Sequence, residues 1–249
     1  MACNDKSCTN PKKRTRRSGY KPISFTMNKR IPIKFVVFDF GGVICEFKFA
    51  EYFQSLGYGQ EDIDFIKDKI FNGTIWQREM DCGLICWEQA HEKLCEKYPD
   101  KKHLVDVLFD TDPKYFTPLR LEVLEYIKEL RKSGFKVYGL TNLSEHMHNY
   151  CRRAYPGFDE LFDGITASYM VNALKPASKN PDDSDYFSTK IYKRFFVDNC
   201  LSPSKCLFID DNKCNLHVGD RFGMRWIEWR KGDTPGTLIK RLNEKWFFR

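Results

Sequence analysis

This sequence predicts a three-layer α/β fold, a parallel sheet with helices on both faces and a small helical segment inserted after the first strand. Three observations carry that expectation. Short apolar runs recur at 33–38, 135–140 and 205–209, the signature of strands buried on both faces. Amphipathic helical stretches lie between the later runs, as in βαβ units. Each run stops at a polar residue, Asp39, Thr141 and Asp210, and in parallel sheets ligands bind beyond the carboxyl ends of the strands.

Taken in order, Ile33-Lys34-Phe35-Val36-Val37-Phe38 reads as the first strand, closed by the turn pair Gly41-Gly42. Residues 47–115 break the alternation: Ile63, Ile66 and Ile70 have helical spacing within 61–71, and Trp87, Ala90 and Leu94 within 86–97. Residues 119–132 predict a helix with Val123, Leu124, Ile127 and Leu130 on one face and Gly134 as its stop. A second strand follows at 135–140, a helix near 189–199 with Ile191, Tyr192, Phe195 and Phe196, and a third strand at 205–209. A short helix closing at Gly223 leads to a fourth strand at 225–229. The expected division is a tail at 1–32, a core from 33–46 and 116–249, and a helical insert at 47–115. No internal repeat is visible.

The length of 249 residues suits one large domain carrying such an insert, and 42% hydrophobic with 30% charged residues is ordinary for a globular chain. No uninterrupted apolar span reaches membrane length, and the N-terminus carries no apolar signal-peptide core. The net charge of +7 suggests nucleic acid, but its distribution does not. Nine of the 41 basic and one of the 34 acidic residues fall in 1–32, leaving 32 against 33 in the body. A neutral body gives little reason to bind a phosphate backbone broadly, so nucleic acid is not expected as a partner beyond weak tail contacts. The run Lys12-Lys13-Arg14-Thr15-Arg16-Arg17 reads equally as a nuclear address or as a solvated tail, so the expected location is the cytoplasm with the nucleus left open. The ten cysteines form no Cys-x-x-Cys pair and no His stands at zinc-finger spacing, which argues for reduced, packed thiols and against a structural zinc site. The five histidines are dispersed; His146 and His148 follow the second polar element and could approach the site, but a surface role is the leading expectation for both.

Four polar elements stand in order: Asp39, Thr141-Asn142, Lys175-Pro176 and Asp210-Asp211. Each suits phosphate-ester chemistry. A carboxylate can attack phosphorus. A Thr hydroxyl and backbone N–H groups can hold phosphoryl oxygens, and a Lys can neutralise charge developing there. Adjacent carboxylates repel unless a cation sits between them, and Mg²⁺ prefers oxygen ligands.

This order resembles the haloacid dehalogenase superfamily, whose core is a Rossmann-like sheet with an inserted cap. The resemblance covers roughly residues 33–230. It rests on Phe38-Asp39-Phe40-Gly41-Gly42-Val43-Ile44, Gly139-Leu140-Thr141-Asn142, Leu174-Lys175-Pro176 with Ile191-Tyr192, and Phe208-Ile209-Asp210-Asp211-Asn212. Within the superfamily the chain is similar to phosphatases of the glucose 1-phosphate branch, including Tyr155-Pro156 after the second motif. Gly73, Trp76, Glu79 and Gly83 match the family's small cap. The resemblance implies a Mg²⁺-dependent phosphomonoester hydrolase working through an aspartyl phosphate, with a small phosphorylated metabolite such as a sugar phosphate as its partner. Asp39 would be nucleophile and metal ligand, and the Gly41 carbonyl a second ligand. Asp211 would be the direct carboxylate ligand, with Asp210 beside it. The N–H groups of Phe40 and Gly41, with Thr141, Asn142 and Lys175, would hold phosphate. For Asn142 a helix-capping role is the competing expectation.

Two departures stand out. Most phosphatases of this superfamily carry a second Asp two residues after the nucleophile, where this chain has Gly41. Glu46 and Glu79 are the alternative proton donors. After Lys175-Pro176 the segment 177–190, with Asp182, Asp183 and Asp185, replaces a much shorter family connection. It leaves Lys179 as a second choice for the third-motif lysine. Two other readings remain: a catalytically degenerate binding or regulatory protein, and a metal-independent 2-haloacid dehalogenase, which the acidic pair Asp210-Asp211 disfavours.

Overall fold

The computed structural model describes residues 32–176 and 189–246. The basic run 12–17, Lys179 and the acidic segment at Asp182, Asp183 and Asp185 lie outside the described residues. Five parallel strands form one sheet in the order β3-β2-β1-β4-β5. They are β1 Phe35–Phe38, β2 Lys136–Thr141, β3 Gly164–Ala167, β4 Cys206–Asp210 and β5 Arg225–Glu228. The helices are α1 Phe49–Ser55, α2 Gln60–Phe65, α3 Trp87–Lys97, α4 Lys102–Asp110, α5 Leu121–Lys132, α6 Glu145–Ala154, α7 Ser168–Val171, α8 Lys190–Asp198, α9 Lys213–Arg221 and α10 Pro235–Trp246.

The sheet is buried on both faces because alternate strand residues feed two separate cores. Val36, Phe38, Val137, Leu207 and Ile209 point one way, onto Val123, Leu124 and Ile127 of α5 and Met147, Tyr150 and Cys151 of α6. Val37, Tyr138, Leu140, Cys206 and Phe208 point the other way, onto Ile191, Tyr192, Phe195 and Phe196 of α8 and Leu216 and Val218 of α9. The period-2 strand pattern and the period-3.6 helix pattern meet in both layers. β3, α6 and α10 add to the elements expected from sequence.

Between β1 and α5 the chain is helical. The stretch expected as one helix at 61–71 is α2 followed by a π-helical turn, Ile66–Phe71, and a second π-helix spans Ile75–Met80. Bonds such as Asn72 N–H to the Lys67 carbonyl (2.9 Å) and Asp81 N–H to Trp76 (2.9 Å) set that wider register. Aromatic rings fill the interior of this segment, with Trp76 against Phe71 at 4.8 Å and Trp87 against Phe109 at 4.3 Å between ring centres. No helix among the described residues is long and apolar enough to cross a membrane.

Candidate active site

The strand order puts β1 at the centre, paired to β2 through Phe38↔Gly139 and to β4 through Phe38↔Ile209. The residues that end these three strands therefore stand side by side on one edge of the sheet. Asp39 N–H continues the ladder onto the Ile209 carbonyl at 2.9 Å. Asp39 is 6% exposed, and Thr141 and Asp210 are fully buried.

The loop after Asp39 is wound tightly. The Phe40 carbonyl accepts from the N–H groups of Val43, Ile44 and Cys45 at 3.3, 2.8 and 2.7 Å. The Phe40 ring anchors the loop in the core between Phe158 and Phe162, and its own N–H donates to Asp39 Oδ1 at 2.7 Å. Gly42 has φ of 71°, and a Cβ there would stand 2.2 Å from Asp211 Oδ2. Only glycine meets both the left-handed backbone and the approach of that carboxylate.

Lys175 comes from the loop after α7 and is 1% exposed. Its Nζ lies 2.7 Å from Asp39 Oδ1 and 2.8 Å from Asp210 Oδ2. Asn142 fixes the main chain of this lysine: its Oδ1 accepts from Lys175 N–H at 2.7 Å and its Nδ2 donates to the Lys175 carbonyl at 3.2 Å. This corrects the helix-capping expectation for Asn142, whose side chain is spent on the Lys175 main chain. Ser144 caps α6 instead, accepting from Met147 N–H at 3.4 Å. Asp210 is further held by Asn215 Nδ2, 3.0 Å from each oxygen, and by Asn212 N–H at 2.7 Å. Asn212 in turn caps α9 through Cys214 N–H at 3.0 Å, which leaves Asp211 as the most exposed carboxylate of the group.

Carboxylate oxygens of Asp39, Asp210 and Asp211 all lie within 4.8 Å of one another. Burial first, and then the charge of Asp210, push the Asp39 carboxyl well above its ordinary range, with Lys175 opposing. The same two causes push Asp211 up to about 6. Burial works against the Lys175 ammonium, but Asp210 and Asp39 outweigh it and hold that group above its usual value. One ammonium among three carboxylates leaves surplus negative charge on hard oxygen donors, and that donor set fits a small divalent cation such as Mg²⁺.

Other expected residues sit differently. The Thr141 hydroxyl reaches only the Asn142 carbonyl, at 3.4 Å. A Cβ on Gly41 would stand 3.1 Å from Cζ of Phe47, a residue that is 60% exposed. Phe47 thus fills space next to the position where the superfamily's second Asp would project. Glu46 pairs with Lys48 at 3.1 Å and Arg120 at 3.6 Å, and Glu79 pairs with Lys93 of α3. Neither joins the carboxylate cluster. His148 is not a surface residue: it is fully buried between Asp159, 2.9 Å from Nε2, and the Tyr169 hydroxyl, 3.0 Å from Nδ1. His146 stacks on Trp87 at 3.9 Å between ring centres.

Sequence reasoning missed Asp81, which follows the second π-helix. Its carboxyl takes a hydrogen bond from the Ser144 main chain, and its carbonyl accepts from Ser168 Oγ at 2.5 Å. Asn172 Nδ2 donates to the Cys82 carbonyl at 2.8 Å. Residues 81–82 therefore tie the helical insert to loops at the carboxyl edge of the sheet. A cleft of about 560 Å³ beside this tie, lined by Gly83, Trp87, Ser144, His146 and Tyr169, contains none of the clustered charges. Burial pushes the Asp81 carboxyl up to about 8, against the Ser144 bond. Between the ordinary carboxylate range and about 8 the unfolded chain has lost this proton while the folded one keeps it. This group's contribution to stability therefore falls as pH rises from the ordinary carboxylate range to about 8. Asp81→Asn keeps the acceptor for Ser144 and removes the titration. Its melting temperature should exceed that of the parent by a margin that widens across that window, and a constant margin from pH 5 to 8 would contradict the buried acid.

A family model described as haloacid dehalogenase-like hydrolase matches residues 33–213. D-ribitol-5-phosphate phosphatase of Bacteroides thetaiotaomicron is 27% identical over 208 residues, covering 80% of this chain and 93% of that protein. A haloacid dehalogenase family enzyme from Bacteroides thetaiotaomicron, solved with magnesium and inorganic phosphate, has a TM-score of 0.61 at 21% identity, covering 83% of this chain and 99% of that one. L-2-haloacid dehalogenase from Xanthobacter autotrophicus has a TM-score of 0.56 at 16% identity, covering 85% and 83%. At these identities the two solved structures speak for the fold alone.

Proposed function

The chain belongs to the haloacid dehalogenase-like hydrolases, and from that membership we propose that it is a Mg²⁺-dependent phosphatase acting on a small phosphorylated metabolite, a sugar or sugar-alcohol phosphate. The observation that carries this reading is the buried Lys175 ammonium bridging Asp39 and Asp210 at the strand ends, with Asp211 alongside. A dehalogenase has no need of three clustered carboxylates, whereas a phosphoryl site with a hard cation does. The D-ribitol-5-phosphate phosphatase relative directs the substrate choice toward polyol and sugar phosphates.

In this reading Asp39 Oδ attacks phosphorus, the P–O bond to the leaving group breaks, and an aspartyl phosphate forms. Lys175, already within bonding distance of the nucleophile, meets the equatorial oxygens as their charge spreads. The Thr141 hydroxyl and the Phe40 and Gly41 N–H groups line the remaining phosphoryl contacts. Phe40 N–H now donates to Asp39, so it exchanges that partner for a phosphoryl oxygen when substrate arrives. Asp39, Asp211 and the Gly41 carbonyl would hold Mg²⁺, while Asp210, bonded to Lys175 and Asn215, positions the lysine. When bound, Mg²⁺ supplies positive charge against the phosphoryl oxygens. Water then cleaves the acyl phosphate and returns Asp39. The leaving oxygen needs a proton that residue 41 cannot give. Glu46, which shares Arg120 with the surroundings of Asp211, is the residue to test first. Residues 47–115 act as the cap over the leaving group, tied down at residues 81–82.

Phosphate release from a panel of sugar, polyol and nucleoside phosphomonoesters, with Mg²⁺ or with EDTA, tests this reading. Turnover should need Mg²⁺ and favour the polyol and sugar esters. Metal-independent turnover would remove the cation from the account. Absence of turnover on every ester, with folded protein, would point to a binding role.

A further inference from the structure

A second cluster of ligating side chains lies in the helical insert, away from the strand-end carboxylates. His91 and Cys95 stand one turn apart on α3, so both project from the same face. Asp106 meets them from α4. His91 Nε2 is 2.8 Å from Asp106 Oδ1, and Cys95 Sγ is 3.6 Å from the same oxygen. One ligand atom from each residue lies within 4.8 Å of the other two. All three residues are partly buried in the seam between the helices, and the His91 ring is held against Phe109 at 5.1 Å.

We infer that His91, Cys95 and Asp106 form a binding site for a borderline-soft divalent transition ion such as Zn²⁺, which would clamp α3 to α4. One imidazole, one thiol and one carboxylate make a mixed N, S, O set that suits zinc and not Mg²⁺. Zinc bonds of about 2.0–2.3 Å need donor atoms somewhat more than 3 Å apart, close to the spacing present. A solvent oxygen would complete a tetrahedron. The cysteine pairs and finger spacings absent from the sequence are not required, because the third ligand comes from the neighbouring helix.

Lys102 bears directly on this site. Its Nζ sits 2.6 Å from Asp106 Oδ2 and 2.8 Å from Oδ1, so an ammonium already neutralises the carboxylate that a metal would use. Lys102 is exposed and can keep Oδ2 while Oδ1 turns to the ion. Two cations would then share one carboxylate, and their repulsion sets the affinity. The Cys95 thiol donates to Asp106 Oδ1. Binding therefore forms an S–metal bond and releases the thiol proton to solvent, one proton per ion.

The test is Co²⁺ titration of the full-length protein in Mg²⁺ buffer, followed by absorption spectroscopy. Co²⁺ ligated by thiolate gives an intense near-ultraviolet charge-transfer band that an all-oxygen site cannot give. A one-to-one band displaced by Zn²⁺, retained in Asp39→Asn and lost in Cys95→Ser and His91→Ala, is the expected result. Lys102→Gln leaves all three ligands in place and should bind Co²⁺ about tenfold more tightly, from the lost repulsion. Absence of the band at millimolar Co²⁺, or a band that survives Cys95→Ser, would overturn the site. Retention of the band in Asp39→Asn keeps the result independent of the proposed phosphatase activity.

Discussion

Lys175→Met should destabilise the protein by about 3–5 kcal/mol in metal-free buffer, as read from urea unfolding in EDTA. The ammonium is buried, ion-paired on two sides, and further placed 5.6 Å from the centre of the Phe208 ring. Met fills a similar volume, so packing loss is small and the effect reports charge. Without the ammonium, Asp39, Asp210 and Asp211 face one another with no cation, and Asn215 and the Asn212 N–H are the remaining donors to Asp210. Mg²⁺ should restore part of the loss, because it replaces positive charge at the same oxygens, in proportion to how far its concentration exceeds the dissociation constant. A loss below about 1 kcal/mol would mean that the pairing of Lys175 with Asp39 and Asp210 contributes little to stability.

How much of this was legible in the sequence depends on distance along the chain. The ends of β1, β2 and β4 could be read because an apolar run buried on both faces stops abruptly at Asp39, Thr141 or Asp210. The amphipathic faces of α5 and α8 could be read from their spacing, and the same residues line the two cores. β3 was not readable: Gly-Ile-Thr-Ala is short, begins with glycine and becomes a strand only by pairing with β2. α6 was obscured by its charged composition, although Met147, Tyr150 and Cys151 are buried at helical spacing. The π turns have no local signal, since Ile63, Ile66 and Ile70 keep ordinary helical spacing across the junction of α2 and the first π turn. The same holds for function. The motif carried Lys175, but not its clasp by Asn142, which joins residues 33 apart. Asp81 and the trio His91, Cys95 and Asp106 become chemistry only when separate helices and loops meet. The missing acid at Gly41 was visible as an absence, and the structure adds the Phe47 ring beside it.

Asp39→Asn should separate activity from stability in opposite directions. As the proposed nucleophile, its loss should lower phosphatase turnover by at least about 10⁴-fold, because the amide cannot form the acyl phosphate and the remaining groups cannot replace that step. In EDTA the same substitution should raise the unfolding midpoint. Burial and the Asp210 charge already disfavour the ionised carboxylate, and the amide removes one negative charge from a crowded group while keeping an acceptor for Phe40 N–H. Mg²⁺ should then reverse the order. The parent gains about 2.7 kcal/mol when the ion stands at a hundred times its dissociation constant, and the variant, lacking one anionic ligand, gains less. Lys175→Met should cost less in the Asp39→Asn background than in the parent, because one of the two carboxylates left unpaired is no longer charged. A variant that keeps its turnover would remove Asp39 as nucleophile. A variant that melts earlier in EDTA would show that the Lys175 pairing outweighs the crowding of the three carboxylates.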